Sequence, residues 1–349
     1  HPREVLLGAQ GAAGLLPVCD HYSGVEARML KSLQLQAEMM EEFGACVFDV
    51  TLDCEDGAPV GGEVDQANLV VALANRAQAA PELIASGARR RVGARLHQVD
   101  HPAFESDAEI VVGGAAASLS YIMVPKVESV ADVERAVSCI DRATRGTPRQ
   151  SPMPMHVLIE SPAAVHRAFD IAAHPRVESV SFGLMDFVSA HGGAIPSSAM
   201  TVRKDDAGDV QDQFHHPLVV RAKLDIASAC HAFGKVPSHC VVTEFRDTVA
   251  LKAAAKVAAS RFGFTRMWSI HPDQIRPILE AFAPSRDEVE LAAEIVVQAQ
   301  AQDWAPISVA GKLHDRASFR YFWHVLERAH QTGVVMPEQA GSYFSAAVH

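Results

Sequence analysis

The stretch GACVFDVTLDCEDGAP, residues 44–59, runs from an apolar segment straight into a cluster of acids. Ala45, Cys46, Val47 and Phe48 open it as a buried strand would; Asp53, Glu55 and Asp56 close it, with Asp49 inside. Four carboxylates within eight positions repel one another, so the end of this strand calls for a cation among them. In a parallel α/β barrel, strand C-termini are where functional groups stand. The remainder of the chain repeats the arrangement.

Short β-type runs alternate with helical patterns as far as about residue 280, the spacing of βα units. Strands are expected at 15–19, 46–52, 91–96, 121–125, 156–159, 179–183, 236–242 and 267–270. Helices are expected at 25–43, 64–79, 103–117, 130–145, 163–173, 216–233 and 248–262. Eight strands separated by helices, with no G-x-G-x-x-G after the first, predict a (β/α)8 TIM barrel over 1–283 rather than an open doubly wound sheet. Residues 192–215, rich in Gly, Ser and Asp, read as a long loop over the catalytic face. Residues 284–349 read as a C-terminal helical extension in which the polar turn GKLHD joins two helices. Phe319, Tyr321, Phe322 and Trp323 would make that extension poorly soluble alone, so it is expected to pack on the barrel or on a neighbouring subunit.

The chain has 349 residues, 48% hydrophobic and 21% charged, enough for one large core. Its formal net charge of -11 argues against nucleic acid and anionic membrane as partners and favours a small molecule. No apolar run approaches a membrane span and no signal-peptide pattern opens the sequence, so a cytoplasmic location is expected. Six cysteines without a C-x-x-C pair read as buried thiols, not as a zinc site or a disulfide framework.

Polar residues follow most strands: Cys19-Asp20-His21, Asp53-x-Glu55-Asp56, Arg95-x-His97, Lys126, Glu160, Asp186, Thr243-Glu244 and His271. Acids dominate, and a divalent cation is the economical way to hold them; hard Mg²⁺ takes carboxylates with water and substrate oxygens. Glu160 and Asp186 end consecutive strands and are the expected metal pair, although either alone could equally cap a helix. Arg95, a charged fork at a strand end, suits a substrate carboxylate or an internal ion pair, and Lys126 could do either job.

The phrases FDVTLDCEDGA, GARLH, IMVPKVES, VLIESPAAV, VSFGLMDF, WSIHPDQIRPILEAFAPSRDEVELAAEIV and AGKLHDRASF occur in an order that resembles the citrate lyase beta-subunit family, which includes the malyl-CoA lyases, within the aldolase and citrate lyase barrels. The resemblance spans about residues 45–330. It implies a TIM barrel, trimeric or a dimer of trimers, with Mg²⁺ on Glu160 and Asp186. Arg95 would hold the carboxylate and oxo group of an oxo acid, joined at the substrate by Lys126, Gly183, Leu184 and Met185. Asp53, Glu55 and Asp56 would support the metal from behind, largely through water. Asp315 would reach a neighbouring subunit's site as general acid or base. The implied reaction makes or breaks a carbon–carbon bond between an acyl-CoA and an oxo acid, as with malyl-CoA or citramalyl-CoA. Departures fall at strand one, LPVCDHYSG in place of a Val-Pro-Gly phrase, at His97 for the usual Asn, at Cys54 for Leu, and at the lysine missing after the acidic motif. Two alternatives remain at this point: a pyruvate-type aldolase on free hydroxy-oxo acids with His21, His97 or His271 as base, and a non-catalytic member that binds acyl-CoA or an oxo acid.

Overall fold

Residues Phe48–Asp53 form a strand that is buried along its whole length, yet every second side chain is polar. In the computed structural model, which describes residues 1–8, 15–57, 59–79, 89–202 and 211–344, it is the second of eight parallel strands. These are β1 Cys19–Ser23, β2 Phe48–Asp53, β3 Val92–Arg95, β4 Tyr121–Val124, β5 Met155–Ile159, β6 Val177–Phe182, β7 Val236–His239 and β8 Arg266–Ser269. Each bonds to the next, and β1 pairs with β8 to close a TIM-like barrel with helices in the connections. The chain divides into two compact units, Cys19–Ala281 and a second made of His1–Val18 with Phe282–His349.

The barrel strands fall where expected except the first, which starts at Cys19 and not at residue 15. Its apolar forerunner, Leu16 to Val18, belongs to the second unit, where the Gln331 amide donates to the Leu16 carbonyl at 2.7 Å. The true β1, Cys-Asp-His-Tyr-Ser, is polar because the lumen that receives it is polar. Arg266 on β8 is fully buried and reaches Asp49 on β2 at 2.7 Å and Asp20 on β1 at 3.0 Å. Asp49 also pairs with Arg91 at 2.8 Å. The Tyr121 hydroxyl on β4 lies 2.6 Å from the Thr51 hydroxyl on β2 and donates to Asp20 on β1 at 3.1 Å. Strands that are not neighbours can touch in this way only across the lumen. Gly93 makes the reach possible: it lies in register between Thr51 and Tyr121, and a Cβ there would sit 2.2 Å from the Tyr121 ring. The lumen therefore balances its charges internally, because a buried ion stays buried only when paired and hydrogen-bonded.

The helical run after β3 contains a π turn, Ala108–Val112, and the one after β5 breaks at Arg167 into Pro162–His166 and Ala168–Ala173. Of the expected loop 192–215, residues 203–210 lie outside the described residues. Among the described residues, no helix is long and apolar enough to cross a membrane.

In the second unit, helices Arg286–Ala301 and Arg316–Thr332 pack with the short helix Pro2–Leu7. The first 18 residues, within the span 1–283 expected for the barrel, fall with this unit. The GKLHD turn is a β-hairpin, β9 Ile307–Val309 with β10 Lys312–His314. Phe319 and Trp323 are buried in the unit's own core, so most of the aromatic surface expected to need an outside partner is covered internally; Tyr321 stays exposed.

Candidate active site

The end of β2 is organised by Asp53. Its carboxylate accepts the backbone N–H groups of Glu55 at 3.1 Å and Asp56 at 2.9 Å, which folds the acidic turn over the strand end. Gln66 secures the same point by donating to the Asp53 carbonyl at 2.7 Å. Arg95, at the neighbouring end of β3, donates to Asp53 through Nε at 2.6 Å and through a terminal nitrogen at 3.0 Å. It also meets Asp56 at 2.6 Å and Glu55 at 2.8 Å. Burial opposes the arginine's charge, but Asp53 outweighs it and holds the pKa well above the ordinary arginine value. The Tyr22 ring lies 4.6 Å from the guanidinium and stacks on Trp268 at 6.0 Å, so the plane of Arg95 is fixed by aromatic faces as well as by acids. Of the two readings of Arg95, the internal ion pair is the arrangement present here.

Lys126 follows β4 with a φ of 52°, left-handed backbone that costs a non-glycine residue about 1 kcal/mol or more. Its ammonium donates to Glu55 at 2.8 Å; burial lowers its pKa less than this partner raises it. Glu160, immediately after β5, is 6% exposed. Burial first, then the Asp186 carboxylate and a hydrogen bond to it, push the Glu160 pKa up to about 8. Asp186 lies exposed in the first turn of helix Leu184–Ser189 after β6. The two acids are brought together partly because Gly183 has no side chain: a Cβ there would stand 2.5 Å from Glu160 Cγ. Leu184 is buried, so of the expected substrate-contacting residues Gly183 to Met185 it can offer only backbone. A cavity of about 760 Å³ opens at the mouth, lined by Lys126, Glu128, Asp132, Glu160, Arg167 and Asp186 among others. That is ample for a cofactor-sized ligand.

Among the described residues, no three His, Cys, Asp or Glu side chains converge on one point. Glu160 and Asp186 nevertheless suit a hard divalent ion. They are oxygen donors whose mutual repulsion, which raises the Glu160 pKa, a cation would relieve, and Mg²⁺ characteristically takes one or two carboxylates and completes its shell with water and substrate oxygens.

Each of the expected histidines is held by a neighbour of its own. His21 is buried in the barrel wall, 2.9 Å from the Ser269 hydroxyl, and burial, then His271, lowers its pKa to about 4. Cys19 and Asp20, expected at the mouth, lie inside β1 because that strand starts later than expected. His271 caps the turn Pro272–Gln274. His97 is held by Asp107 at 2.6 Å. Asp315 lies in the second unit, where its carboxylate caps helix Arg316–Thr332 by accepting the Ala317 N–H at 2.9 Å. Sequence reading missed Tyr22 and Trp268; the correct register of β1 would have put Tyr22 on the Asp20 face, two residues nearer the mouth. It also missed Arg167, which only the helix break reveals.

The sequence model of the HpcH/HpaI aldolase/citrate lyase family matches residues 29–272. An L-malyl-CoA/beta-methylmalyl-CoA lyase of Cereibacter sphaeroides is 28% identical over 293 residues, 81% of this chain and 87% of its own. The crystal structure of a citrate lyase from Burkholderia xenovorans LB400 is 45% identical, covers 98% of both chains and superposes with a TM-score of 0.78. The protein CitE from Mycobacterium tuberculosis, solved with magnesium, acetoacetate and coenzyme A, is 22% identical over 90% of this chain and 98% of its own, with a TM-score of 0.62; at that identity the likeness speaks to fold alone. The family match thus runs from the helix before β2 to the turn after β8, across the ends of β2 to β8, and the chain belongs to the HpcH/HpaI aldolase/citrate lyase family.

Proposed function

We propose that this carbon–carbon lyase cleaves, or in reverse forms, a 3-hydroxyacyl-CoA thioester of the malyl-CoA or citramalyl-CoA kind, giving an acyl-CoA and an oxo acid. The observation that carries the reading is the joining of Glu160 and Asp186 in a cavity at the barrel mouth, within the electrostatic reach of Arg95. The names of the relatives support the thioester, and the paired oxygen donors Glu160 and Asp186 suit the ion.

Glu160 and Asp186 would hold Mg²⁺, which when bound supplies Lewis-acid stabilisation of developing oxygen charge. Arg95 would take the oxo-acid carboxylate with its fork, releasing Glu55 or Asp56, while Asp53 and Tyr22 keep its plane fixed. Glu55 and Asp56 would then be free to bind water around the ion, and Lys126 would follow Glu55. In cleavage the bond between the carbinol carbon and the carbon α to the thioester breaks, the hydroxyl proton leaves, and the α carbon gains a proton. Asp315, supplied by a neighbouring subunit of a homotrimer or a dimer of trimers, would move that proton at the α carbon. In this assembly the unit carrying Asp315 packs on the neighbour.

Mass spectrometry of the purified protein with Mg²⁺, short acyl-CoAs and glyoxylate, pyruvate or oxaloacetate tests the reading. A new hydroxyacyl-CoA that disappears in Glu160→Gln and in Asp186→Asn supports it; product formed equally by both variants in excess chelator refutes it.

A second reading rests on His97. Held by Asp107 at 2.6 Å, it has the partner a His-centred aldolase base requires. Burial lowers its pKa less than Asp107 raises it. Turnover of free hydroxy-oxo acids that is lost in His97→Gln, with no reaction on thioesters, would favour this alternative.

A further inference from the structure

Below the charged rim the barrel changes character. Met123, Leu158 and Trp268 form an apolar cluster with Tyr22 and Val241 packed against it. These residues come from or just beyond β4, β5, β8, β1 and β7, so they meet across the lumen. Leu158 lies two residues before Glu160 on the same strand face, and the Tyr22 and Trp268 rings lie beneath Arg95 at 4.6 Å and 6.0 Å. A ligand that touches both Arg95 and the Glu160–Asp186 pair therefore has an apolar, aromatic floor beneath it.

Two further observations narrow what that ligand is. Trp268 is 7% exposed, and its indole N–H has no acceptor among the described residues. A buried N–H left unpaired costs about 1–3 kcal/mol, which an oxygen of a bound molecule would remove. The cations of the mouth, in contrast, are already engaged: Arg95 by Asp53, Glu55 and Asp56, and Lys126 by Glu55. One incoming carboxylate can exchange with an acid on Arg95; a second on the same short molecule must displace Glu55 from Lys126 or extend to the outer rim. The other cavity cation, Arg167, is exposed and donates to the Glu128 carbonyl at 3.0 Å.

Resting on the reading of Arg95 as the oxo-acid anchor, we infer that Trp268 is a substrate-contacting, specificity-determining residue and that the oxo acid is a monocarboxylate with a small non-polar substituent. The methyl or ethyl group packs on the Tyr22–Trp268 face, and the indole N–H donates to a substrate oxygen. Glyoxylate leaves the face uncovered. Oxaloacetate buries a carboxylate on it.

Calorimetric titration of the Mg²⁺-loaded protein with pyruvate, 2-oxobutyrate, glyoxylate and oxaloacetate tests this without requiring turnover. Pyruvate or 2-oxobutyrate is expected to bind about tenfold or more tighter than the other two, the discrimination one carbon commonly earns in an apolar pocket. Trp268→Phe, which keeps an aromatic face but removes the N–H, is expected to weaken pyruvate about tenfold while the ligand-free protein still unfolds in one cooperative transition. Equal or tighter binding of oxaloacetate, especially if lost in Arg167→Ala, overturns the inference. So does unchanged pyruvate affinity in Trp268→Phe, or the absence of binding by all four acids. Selective pyruvate binding without any thioester chemistry would instead sink the proposed lyase reaction and leave the role of Trp268 standing.

Discussion

Replacing Arg266 with Met is the sharpest test of how the barrel is held together. The guanidinium is fully buried, opposite Asp49 at 2.7 Å and Asp20 at 3.0 Å. Burial works against its charge, and Asp49 followed by Asp20 more than compensates, so it stays protonated at any working pH. Met fills much of the same space, so packing loss is small and the change is chiefly electrostatic. Removing one partner from a buried ion pair costs about 3–5 kcal/mol because the other charge is stranded. Here two acids lose a partner, but neither is left bare: Asp49 keeps Arg91 at 2.8 Å, and Asp20 keeps the Thr51 and Tyr121 hydroxyls at 2.7 Å and 3.1 Å. The expected loss therefore stays within about 3–5 kcal/mol and does not double. Urea unfolding at neutral pH measures it, and Asp20→Asn with Asp49→Asn added to Arg266→Met should recover at least half. A loss below about 1 kcal/mol in the single variant, or a triple variant no more stable than the single, would refute the claim that paired charge supports this lumen.

Lys223 is fully buried, donating to Gln213 at 2.9 Å above the Phe214 ring, and burial lowers its pKa to about 8. Its folded pKa lies below the unfolded one, so the unfolded chain binds more protons between them; stability should rise by about 3 kcal/mol from below pH 8 to above pH 10.5, an increment absent from Lys223→Met. Melting curves of the two proteins across that window decide it, and parallel pH profiles would contradict it. Gly93→Ala should cost about 1–3 kcal/mol by driving a Cβ against the Tyr121 ring, and Tyr121→Ala in the same chain should relieve part of that loss; strictly additive losses in chemical denaturation would show that the two do not meet. Asp315→Ser should keep the helix cap and Asp315→Ala should lose about 1 kcal/mol, while both abolish turnover; activity surviving in the Ser variant would remove Asp315 from proton transfer.

The barrel was legible because its helices carry apolar faces and its strand ends carry acids, both local patterns. β2 is the clearest case, since its Asp49, Thr51 and Asp53 alternate with Phe48, Val50 and Leu52. β1 was misplaced for the opposite reason. An apolar run just upstream mimics a strand, and nothing local announces that Cys19–Ser23 is polar because Arg266 awaits it 246 residues later. The same slip hid Tyr22. Glu160 and Asp186 could be paired from adjacent strand ends, but the engagement of Arg95 by all three acids of the β2 turn depends on side-chain reach across strands. The hairpin at β9 and β10 was lost in a turn of polar residues, with three-residue strands too short to leave a period.

The seam between β1 and β8 also bears on the order in which the protein can be made. Asp20 and Asp49 leave the ribosome early, and Arg266 follows Asp49 by 217 residues. Until β8 is synthesised, Asp20 has only the Thr51 and Tyr121 hydroxyls and Asp49 only the half-buried Arg91, so a low-dielectric interior around the two acids is penalised. Completion of the barrel and neutralisation of its lumen are thus a single late event. Fragments that end before β8 should remain open to water and to chaperones, however many helices they already carry.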